Sequence, residues 1–425
     1  MTTPFGEGID ELIAEGLDER AATRRRRAGL AIAVSFTVLA VWLVYVSAAG
    51  HWDRVLDNWA AALTMVFGSF VAGSTPQGGG AVAFPVLTKI VEVDTSVARS
   101  FSLCIQAIGM GTAALAIAIN RRTVEWRAVA FGIPFAIVGF VGGLYLLGRP
   151  DEIFWPSRIP GDYVKVTFTL VIAAMAFVVY MSYRTHLIER LVRLPAMTRR
   201  LYAALALTAL LGGVASSLVG SGADVFVYIF VVVLIGVIPR VGVPSSVIVM
   251  AAVSVAGFLI LGILDGQLDI TLNGAGDVVA VGGEATPEPL PAERFDLFGL
   301  WLAAVPVVAF GAPLGSWVSS RITDRQLVIF VAVLALAEVV TTAGFLTDLH
   351  FQDPALMLYA IVGLAVIVGG LWLLLRHRRD ILGLGGVALD ETFTRSRLDV
   401  GPKYREQLRA DDRDDDPPVD DDQER

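Results

Sequence analysis

The sequence predicts an all-α polytopic membrane protein built as an inverted-topology repeat, with about eight full spans and two re-entrant or broken helices. The 425 residues are 55% hydrophobic and only 17% charged, with a mean hydropathy of +0.67. Few soluble domains are so apolar. Charge-free runs of about twenty residues recur, which is the length that crosses ~30 Å of hydrocarbon. Two apolar stretches are interrupted by glycine-rich segments at corresponding places in the chain.

The N-terminal region contains a polar segment, 1–27, and a first transmembrane span, 28–50. Apolar residues at helical spacing among acidic ones predict a short amphipathic helix at 5–22, lying at the membrane interface. Arginines at 24–27 precede the apolar run, which is too long for the core of a signal peptide and is therefore expected to be retained. Because cytoplasmic flanks are rich in Arg and Lys, segment 1–27 is expected in the cytoplasm.

Two stretches, 59–183 and 201–346, are the predicted repeats, and a basic cytoplasmic linker, 184–200, joins them. Each repeat opens with a broken apolar segment and continues with three spans. These spans are predicted at 96–120, 128–148 and 166–183, then at 241–264, 297–320 and 326–346. A last span at 355–375 leads into a cytoplasmic tail, 376–425, whose acidic and weakly apolar composition predicts extensive disorder.

The broken segments, 59–90 and 201–239, are compatible with two topologies. If each crosses the membrane completely, the arginine-rich loops at 121–127 and 321–325 fall outside. If each dips in and returns on the same side, these loops and both termini lie inside, and the acidic loop 265–296 lies outside. The positive-inside rule favours the second topology. Since each repeat then has three full spans, an odd number, the second repeat is inverted relative to the first.

The two breaks read "STPQGGGAVAFP" from Ser74 and "VGSGAD" from Val219. An interrupted membrane helix is tolerated where the break lines a cavity, and a half-helix N-terminus directs N–H groups and a positive dipole end into it. This favours a small-anion site, although two glycine-rich kinks that only pack helices remain the alternative. The predicted substrate-binding residues are Ser74, Thr75, Gln77, Gly78, Gly79, Gly80, Ser217, Gly220, Ser221 and Gly222.

Several charged residues lie in or near the apolar runs. Asp224 is either the N-cap of the second half-helix or a coupling group that acts protonated or binds a cation. Glu338 is either a second coupling group or a protonated residue bonded to a neighbouring helix. Arg99 and Arg240 are candidates for a vestibule, but interfacial residues that set topology are the more usual explanation, and the same holds for Lys89. The G-x-x-x-G pairs, Gly139/Gly143 and Gly311/Gly315, indicate close helix packing.

Signatures of other classes of protein are missing from the sequence. There is no H-E-x-x-H, G-x-S-x-G or Walker A motif, and the four histidines lie in loops or near span ends. The single cysteine, Cys104, excludes an intramolecular disulfide. We therefore expect no enzymatic activity, no cofactor, no metal site and no binding of nucleic acid. In the acidic loop, alternation around Asn273-Gly274 within 268–283 predicts a β-hairpin.

The two break regions carry a family resemblance. "GSTPQGGGAVAFPVLTKIVEVDTSVARSFS" from Gly73 and "GGVASSLVGSGADVFVYIFVVVLIGVIPRVGVPSS" from Gly212 resemble the duplicated pattern of the sulfite exporter TauE/SafE family of membrane permeases. The resemblance covers roughly 59–375. It implies transport of small sulfur oxyanions or organosulfur anions, coupled to an ion gradient. "GSGAD" departs from the fuller glycine run of the family, as does the long loop 265–296.

These observations together predict a secondary transporter of the cell membrane with both termini cytoplasmic. Sulfite or a related sulfur oxyanion or organosulfonate would bind between the breaks of the two inverted repeats. The expected partners are this small anion, a coupling ion (a proton or sodium) and the lipid bilayer; the oligomeric state does not follow from the sequence. A passive anion channel is the alternative, and an intramembrane enzyme or a scaffold is a weaker one.

Overall fold

The computed structural model describes residues 4–184, 194, 197–350 and 353–376, which are mostly helical. The first half contains α1 (Pro4–Ala49), α2 (Trp52–Asp57), α3 (Trp59–Ser74), α4 (Gly80–Lys89), α5 (Thr95–Ile119), α6 (Trp126–Leu147) and α7 (Gly161–Arg184). The second half contains α8 (Arg199–Val219), α9 (Ala223–Tyr228), α10 (Pro239–Gly257), α11 (Ala292–Phe295), α12 (Leu297–Ser319), α13 (Asp324–His350) and α14 (Pro354–Arg376). Two π-helical segments, Ile229–Ile235 and Phe258–Leu264, continue α9 and α10.

Seven helices in the described part of the chain are long and apolar enough to cross a membrane. Six of them coincide with predicted full spans, which confirms the polytopic all-α class. The seventh, Arg199–Val219, is the first part of the second broken segment. The predicted spans 166–183 and 355–375 lie in α7 and α14, which are helical but are not among the seven. The number of full spans therefore stays a prediction.

The N-terminal helix differs from the prediction. Residues Pro4–Ala49 form one continuous helix, so the prediction of a separate short helix at 5–22 is wrong. Residues 17–28, which include the arginines at 24–27, contain no Gly or Pro, so nothing there interrupts the helix. The predicted tail, from residue 377 onward, and most of the linker 184–200 lie outside the described residues.

The first broken segment enters and leaves at the same end of the helix bundle. Just before α3, Arg54 makes a two-pronged ion pair with Asp296, with N–O distances of 2.9 and 2.5 Å. Just after α4, the backbone N–H of Asp94 donates to the carbonyl oxygen of Arg294 at 3.2 Å. Both ends of the segment thus contact one short stretch of chain, as a re-entrant hairpin requires.

The second broken segment returns in the same way at the opposite end. Shortly before α8, the N–H of Leu194 donates to Glu125 Oε2 at 3.1 Å. In the second turn of α10, Ser245 Oγ accepts a hydrogen bond from the N–H of Glu125 at 2.9 Å. Because Glu125 contacts the chain on both sides of the segment, α8 and α9 form a second hairpin that points toward the first.

Glycines on α6 and α12 let each half of the chain pack closely against a helix of the other half. On α6, a Cβ at Gly139 would overlap the Leu210 carbonyl of α8, and one at Gly143 would overlap Ser217. On α12, a Cβ at Gly311 or Gly315 would overlap α3 in the same way. The G-x-x-x-G pair of each half therefore packs against the re-entrant helix of the other half. The predicted close packing is confirmed, and α5 and α10 fill the centre.

The two ends of the bundle differ in charge. At one end, Arg122 donates to the Ser316 carbonyl and, at 3.2 Å, to Ser320 Oγ, so the arginine-rich loops after α5 and α12 meet. The other end carries the acidic loop. There, β1 (Ile270–Leu272), β2 (Val278–Val281) and β3 (Glu284–Leu290) form an antiparallel sheet in that order. The predicted hairpin around Asn273 is confirmed, and the structure adds the third strand.

Candidate functional site

The two glycine-rich breaks meet at the centre of the bundle. Ser221 Oγ, in the second break, donates to the carbonyl oxygen of Gln77, in the first break, at 3.1 Å. The amide of Gln106 on α5 donates through Nε2 to the Gly220 carbonyl at 2.8 Å. The tips of the inverted hairpins are therefore in direct contact, with α5 beside them.

Glycine is required at the tips for both conformation and space. Gly78 has φ +67° and Gly222 has φ +146°, which are conformations that side-chain-bearing residues rarely adopt. A Cβ added to Gly78 would lie 2.6 Å from Asp224 Oδ2, 2.8 Å from Gln106 Oε1 and 2.9 Å from Ser221 Oγ. Three oxygen atoms therefore crowd the backbone of Gly78, and only a residue without a side chain fits there.

Unsatisfied polar atoms concentrate at this meeting point. In the described part of the chain, the buried side-chain atoms without a hydrogen-bond partner include both amide atoms of Gln77, Gln106 Oε1 and Asp224 Oδ2. These residues are at most 1% exposed. Since an unpaired buried polar group costs about 1–3 kcal/mol, their grouping here indicates a place for a polar ligand.

The structure divides the predicted binding residues into three groups. Gln77, Gly78, Gly80, Gly220 and Ser221 lie at the meeting point. Gly79 and Gly222, the N-caps of α4 and α9, pack instead against α3 and α8 of their own hairpins. Ser74, Thr75 and Ser217 are buried but donate to carbonyls of their own helices, at 3.4, 3.0 and 2.7 Å. Hydroxyls that already bond the preceding turn are poorly placed as ligand donors. A binding role for these three side chains therefore stays a prediction without support from their hydrogen bonds.

Asp224 is not a helix cap. Gly222 holds the N-cap position of α9, and Asp224 lies in the first turn, fully buried. Its Oδ1 accepts a hydrogen bond from the N–H of Val225 at 3.0 Å, which leaves Oδ2 directed at Gly78. The capping interpretation is wrong, and the carboxyl group belongs to the centre of the site.

Gln106 was missed by sequence reasoning. It lies in the middle of α5 and is 1% exposed. Its Nε2 donates to the Ser102 and Gly220 carbonyls, and its Oε1 lies against Gly78. A polar amide in the middle of an apolar span is itself a sign of function, and that signal was available in the sequence.

Glu338 takes part in a second polar cluster, formed by α4, α7 and α13. Lys89 Nζ lies 2.7 Å from Glu338 Oε1, and both side chains are almost fully buried. Thr169 Oγ1 donates to the same oxygen at 2.7 Å, and Thr342 Oγ1 lies 2.6 Å from Lys89 Nζ. The interfacial interpretation of Lys89 is wrong, because its ammonium group holds the re-entrant helix α4 to α13.

The two vestibule candidates, Arg99 and Arg240, lie near opposite ends of the bundle. Arg99 is 2% exposed and donates to the carbonyls of Phe154 and Trp155 at 2.6 and 2.8 Å. Those two residues have positive φ angles, so the Arg99 side chain stabilises a strained loop, and a vestibule role stays a prediction. Arg240 lies in the first turn of α10, near the arginine-rich end.

The cavities among the described residues include one at the acidic end and one beside the second break. One of about 660 Å³ opens at the acidic end of the bundle, and its lining includes His51, Arg54, Asp265 and Asp269, but not Arg99. A much smaller one, of about 20 Å³, lies against Ser221 and Gly222 of the second break, on its α7 side. That volume holds about one water molecule.

Comparison with known proteins gives one match. The model of a family described as "Sulfite exporter TauE/SafE" matches residues 60–342, which is more than half of the chain and contains both breaks. Searches of curated proteins and of solved structures found no match. Members of the matched family are membrane transporters and not enzymes. The chain belongs to the sulfite exporter TauE/SafE family.

Proposed function

We propose that this chain is a secondary transporter that moves a small anion, sulfite or a related sulfur oxyanion or organosulfonate, through the meeting point of the two breaks. The observation that carries the proposal is the set of unsatisfied polar atoms on Gln77, Gln106 and Asp224, all buried where the inverted hairpins touch. A transporter built from inverted repeats binds its substrate at such a place.

The chemistry of the first break suits an oxyanion. Helix α4 begins at Gly80, and the N–H groups of Val82 and Ala83 donate to the Gly79 carbonyl at 3.1 and 2.9 Å. The N–H groups of Gly80 and Ala81, at the start of the helix, are therefore the backbone donors for a ligand. The Gln77 amide adds a side-chain donor whose hydrogen bonds are not used elsewhere in the described structure. Together with the positive end of the α4 dipole, these donors would hold the oxygens of a small anion.

The second break contributes different chemistry. Helix α9 has only six α-helical residues before it becomes π-helical, so side chains matter more there than a dipole. An ionised Asp224 would repel an anion held a few ångströms away. Binding therefore requires that this carboxyl group be neutralised by a proton or a cation, which makes Asp224 the natural coupling residue.

Burial favours a carrier over a channel. Gln77, Ser221 and Asp224 are at most 2% exposed, so the meeting point is closed toward both ends of the bundle. A carrier passes through such an occluded state between its inward-open and outward-open forms, whereas an open channel needs a continuous wet path. The glycine contacts of α3 with α12 and of α6 with α8 define two units that would rock against each other.

Counterflow in proteoliposomes tests the transport proposal. Vesicles loaded with sulfite, sulfoacetate, sulfate, thiosulfate or chloride are diluted into labelled sulfite, and we expect saturable exchange with sulfite and its close relatives. Flux without saturation or counterflow would instead identify a channel. Exchange of none of these anions would contradict the proposal.

Gln77→Met tests the binding residues. The side-chain amide of Gln77 makes no hydrogen bond in the described structure, so the change removes a ligand donor at little structural cost. We expect a higher KM for sulfite and an unchanged melting temperature. Ser69→Ala is the matched control, because the Ser69 hydroxyl is also buried and unpartnered but packs on Gly311 of α12. Equal KM values for the two variants would remove Gln77 from the site.

We also propose that the protein lies in the cell membrane with its arginine-rich end and both termini in the cytoplasm, as the positive-inside rule favours. Single cysteines at Ala275 and Thr323, which are exposed at the two ends, test this with a membrane-impermeant thiol reagent. Cys104 is fully buried and should not react. Labelling of whole cells at Thr323→Cys and not at Ala275→Cys would reverse the orientation.

A further inference from the structure

A loop at the acidic end of the bundle covers one face of α5. This segment, called the outer loop below, comprises residues 149–157 between α6 and α7, and a β-bridge closes its base. Its residues 149–152 are exposed, whereas Phe154 and Trp155 turn inward and are 2% and 6% exposed. Compact surface loops whose ends lie close together are frequently functional.

The backbone of the outer loop is strained at two consecutive residues. Phe154 has φ +61° and Trp155 has φ +49°, although neither is a glycine. Bulky residues rarely adopt such angles, which persist only where the surroundings hold them. Here the Arg99 guanidinium donates to both carbonyls, at 2.6 and 2.8 Å, and the Trp155 indole donates to Asp265 at 2.8 Å. Loss of these bonds would let the strained loop relax.

Arg99 is a buried positive charge without an ion pair. It is 2% exposed, and the ion pairs found among the described residues do not include it. The carboxylates of Asp94 and Asp265 act on its charge from beyond ion-pair distance, and both accept hydrogen bonds from other groups. The Nε of Arg99 is buried without any hydrogen-bond partner. Because an isolated buried charge is costly, this arrangement indicates a place for an anion.

Arg99 and the meeting point of the breaks share one face of α5. Arg99 lies seven positions before Gln106, which is two helical turns, so both side chains leave the same side of the helix about 10 Å apart along its axis. Gly220 of the second break packs against Ser102 and against the carbonyl of Arg99. Since α5 begins at the acidic end, an anion that enters there reaches Arg99 before it reaches the breaks.

We propose that Arg99 is a binding site for a small oxyanion and that the outer loop is a lid which this anion releases. A guanidinium fork matches two oxygens of an oxyanion, and it bonds a charged acceptor more strongly than a neutral carbonyl. The anion takes the two donors from Phe154 and Trp155, Nε supplies a third, and the strained loop relaxes. The identity of the anion rests on the proposed function: it is held first at Arg99 and then passes to the donors at the breaks.

Hydrogen exchange of the purified wild-type protein tests the lid without transport. In the closed loop, the N–H of Arg149 donates to the Pro156 carbonyl at 3.0 Å and that of Trp155 to the Glu152 carbonyl at 3.1 Å, which protects both. We expect saturating sodium sulfite to speed exchange over 149–157, relative to sodium chloride at equal ionic strength, by roughly 5- to 150-fold, the usual range for coupled sites. Unchanged or slower exchange, or an equal effect of chloride, would overturn the proposal.

Three variants separate Arg99 from general effects of salt or stability. Arg99→Lys keeps the charge but loses the fork, so sulfite should no longer speed exchange in the outer loop. Arg149→Lys makes the same change on the exposed side of that loop and should keep the full effect. Trp155→Phe removes the bond to Asp265, so the loop should open at a roughly 5-fold lower sulfite concentration. A full effect in Arg99→Lys, or an unshifted midpoint in Trp155→Phe, would contradict the lid.

Counterflow in the same preparations distinguishes this inference from the proposed function. Sulfite-dependent exchange in the outer loop, without counterflow of any anion, would keep the Arg99 site and remove the transport proposal. Saturable sulfite counterflow by a protein whose outer loop exchanges equally with and without sulfite would keep the transport proposal and refute the lid.

Discussion

The buried ion pair between Lys89 and Glu338 gives the sharpest energetic prediction. The change is a set of three variants, Lys89→Met, Glu338→Met and the double variant, because methionine is apolar and close in length to both side chains. The pair is nearly inaccessible to solvent, with side-chain exposures of 6% and 4% and an N–O distance of 2.7 Å. Removal of one partner from such a pair leaves an uncompensated buried charge, at a cost of about 3–5 kcal/mol.

The contacts of each partner place the two single variants within that range. Without Lys89, Glu338 Oε1 keeps the hydroxyl donors of Thr169 and Thr342 at 2.7 and 3.2 Å, so the cost is about 3 kcal/mol. Without Glu338, the Lys89 ammonium group keeps only the Thr342 hydroxyl among its contacts in the described structure, so the cost is about 5 kcal/mol. The double variant removes both charges together and should lie within about 1 kcal/mol of wild type.

Equilibrium unfolding of the purified protein in mixed micelles measures these free energies. The exposed pair of Arg149 and Glu152, 47% exposed on both sides with an N–O distance of 3.1 Å, is the matched control. Its loss should change the free energy of unfolding by about 0.2–1 kcal/mol. If the double variant at the buried pair lost as much stability as the two single variants combined, the two charges would not be coupled and the reasoning would be refuted.

Three further predictions follow from the geometry. Gly78→Ala places a methyl group among the three oxygens and should abolish sulfite counterflow, whereas Gly50→Ala, which carries the same strain of about 1–2 kcal/mol at φ +69° in open space, should keep it. Arg99→Met leaves two loop carbonyls without donors and should lower the free energy of unfolding by about 3 kcal/mol, whereas an unchanged value would show that the loop holds itself. Burial raises the pKa of Asp265, so as pH falls the folded protein binds this proton at a higher pH than the unfolded chain does. Stability should therefore rise as pH falls through that raised value toward about 4, and Asp265→Asn should remove this contribution from melting curves recorded against pH.

The sequence by itself determined the architecture, because a bilayer leaves few options. Hydropathy placed the helices, since a membrane-spanning backbone must satisfy its own hydrogen bonds. The glycine-rich segments at 78–80 and 220–222 located both breaks, because glycine readily adopts the positive φ angles that end a helix. Arginine placement favoured the re-entrant topology, and the contacts of Glu125 and Arg294 agree with it.

Tertiary structure alone decided which polar side chains act together. Lys89 and Glu338 are 249 positions apart, and the apolar runs around them do not reveal that α4 and α13 touch. Asp224 looked like a helix cap because local sequence predicts local bonds, yet its free oxygen faces Gly78 in the other half. Gln106 belongs to the site only because α5 packs beside the tips of both hairpins, which the sequence does not show. Periodicity fixes where a helix runs, but the partner of each buried polar group depends on which helices pack together and on their rotation.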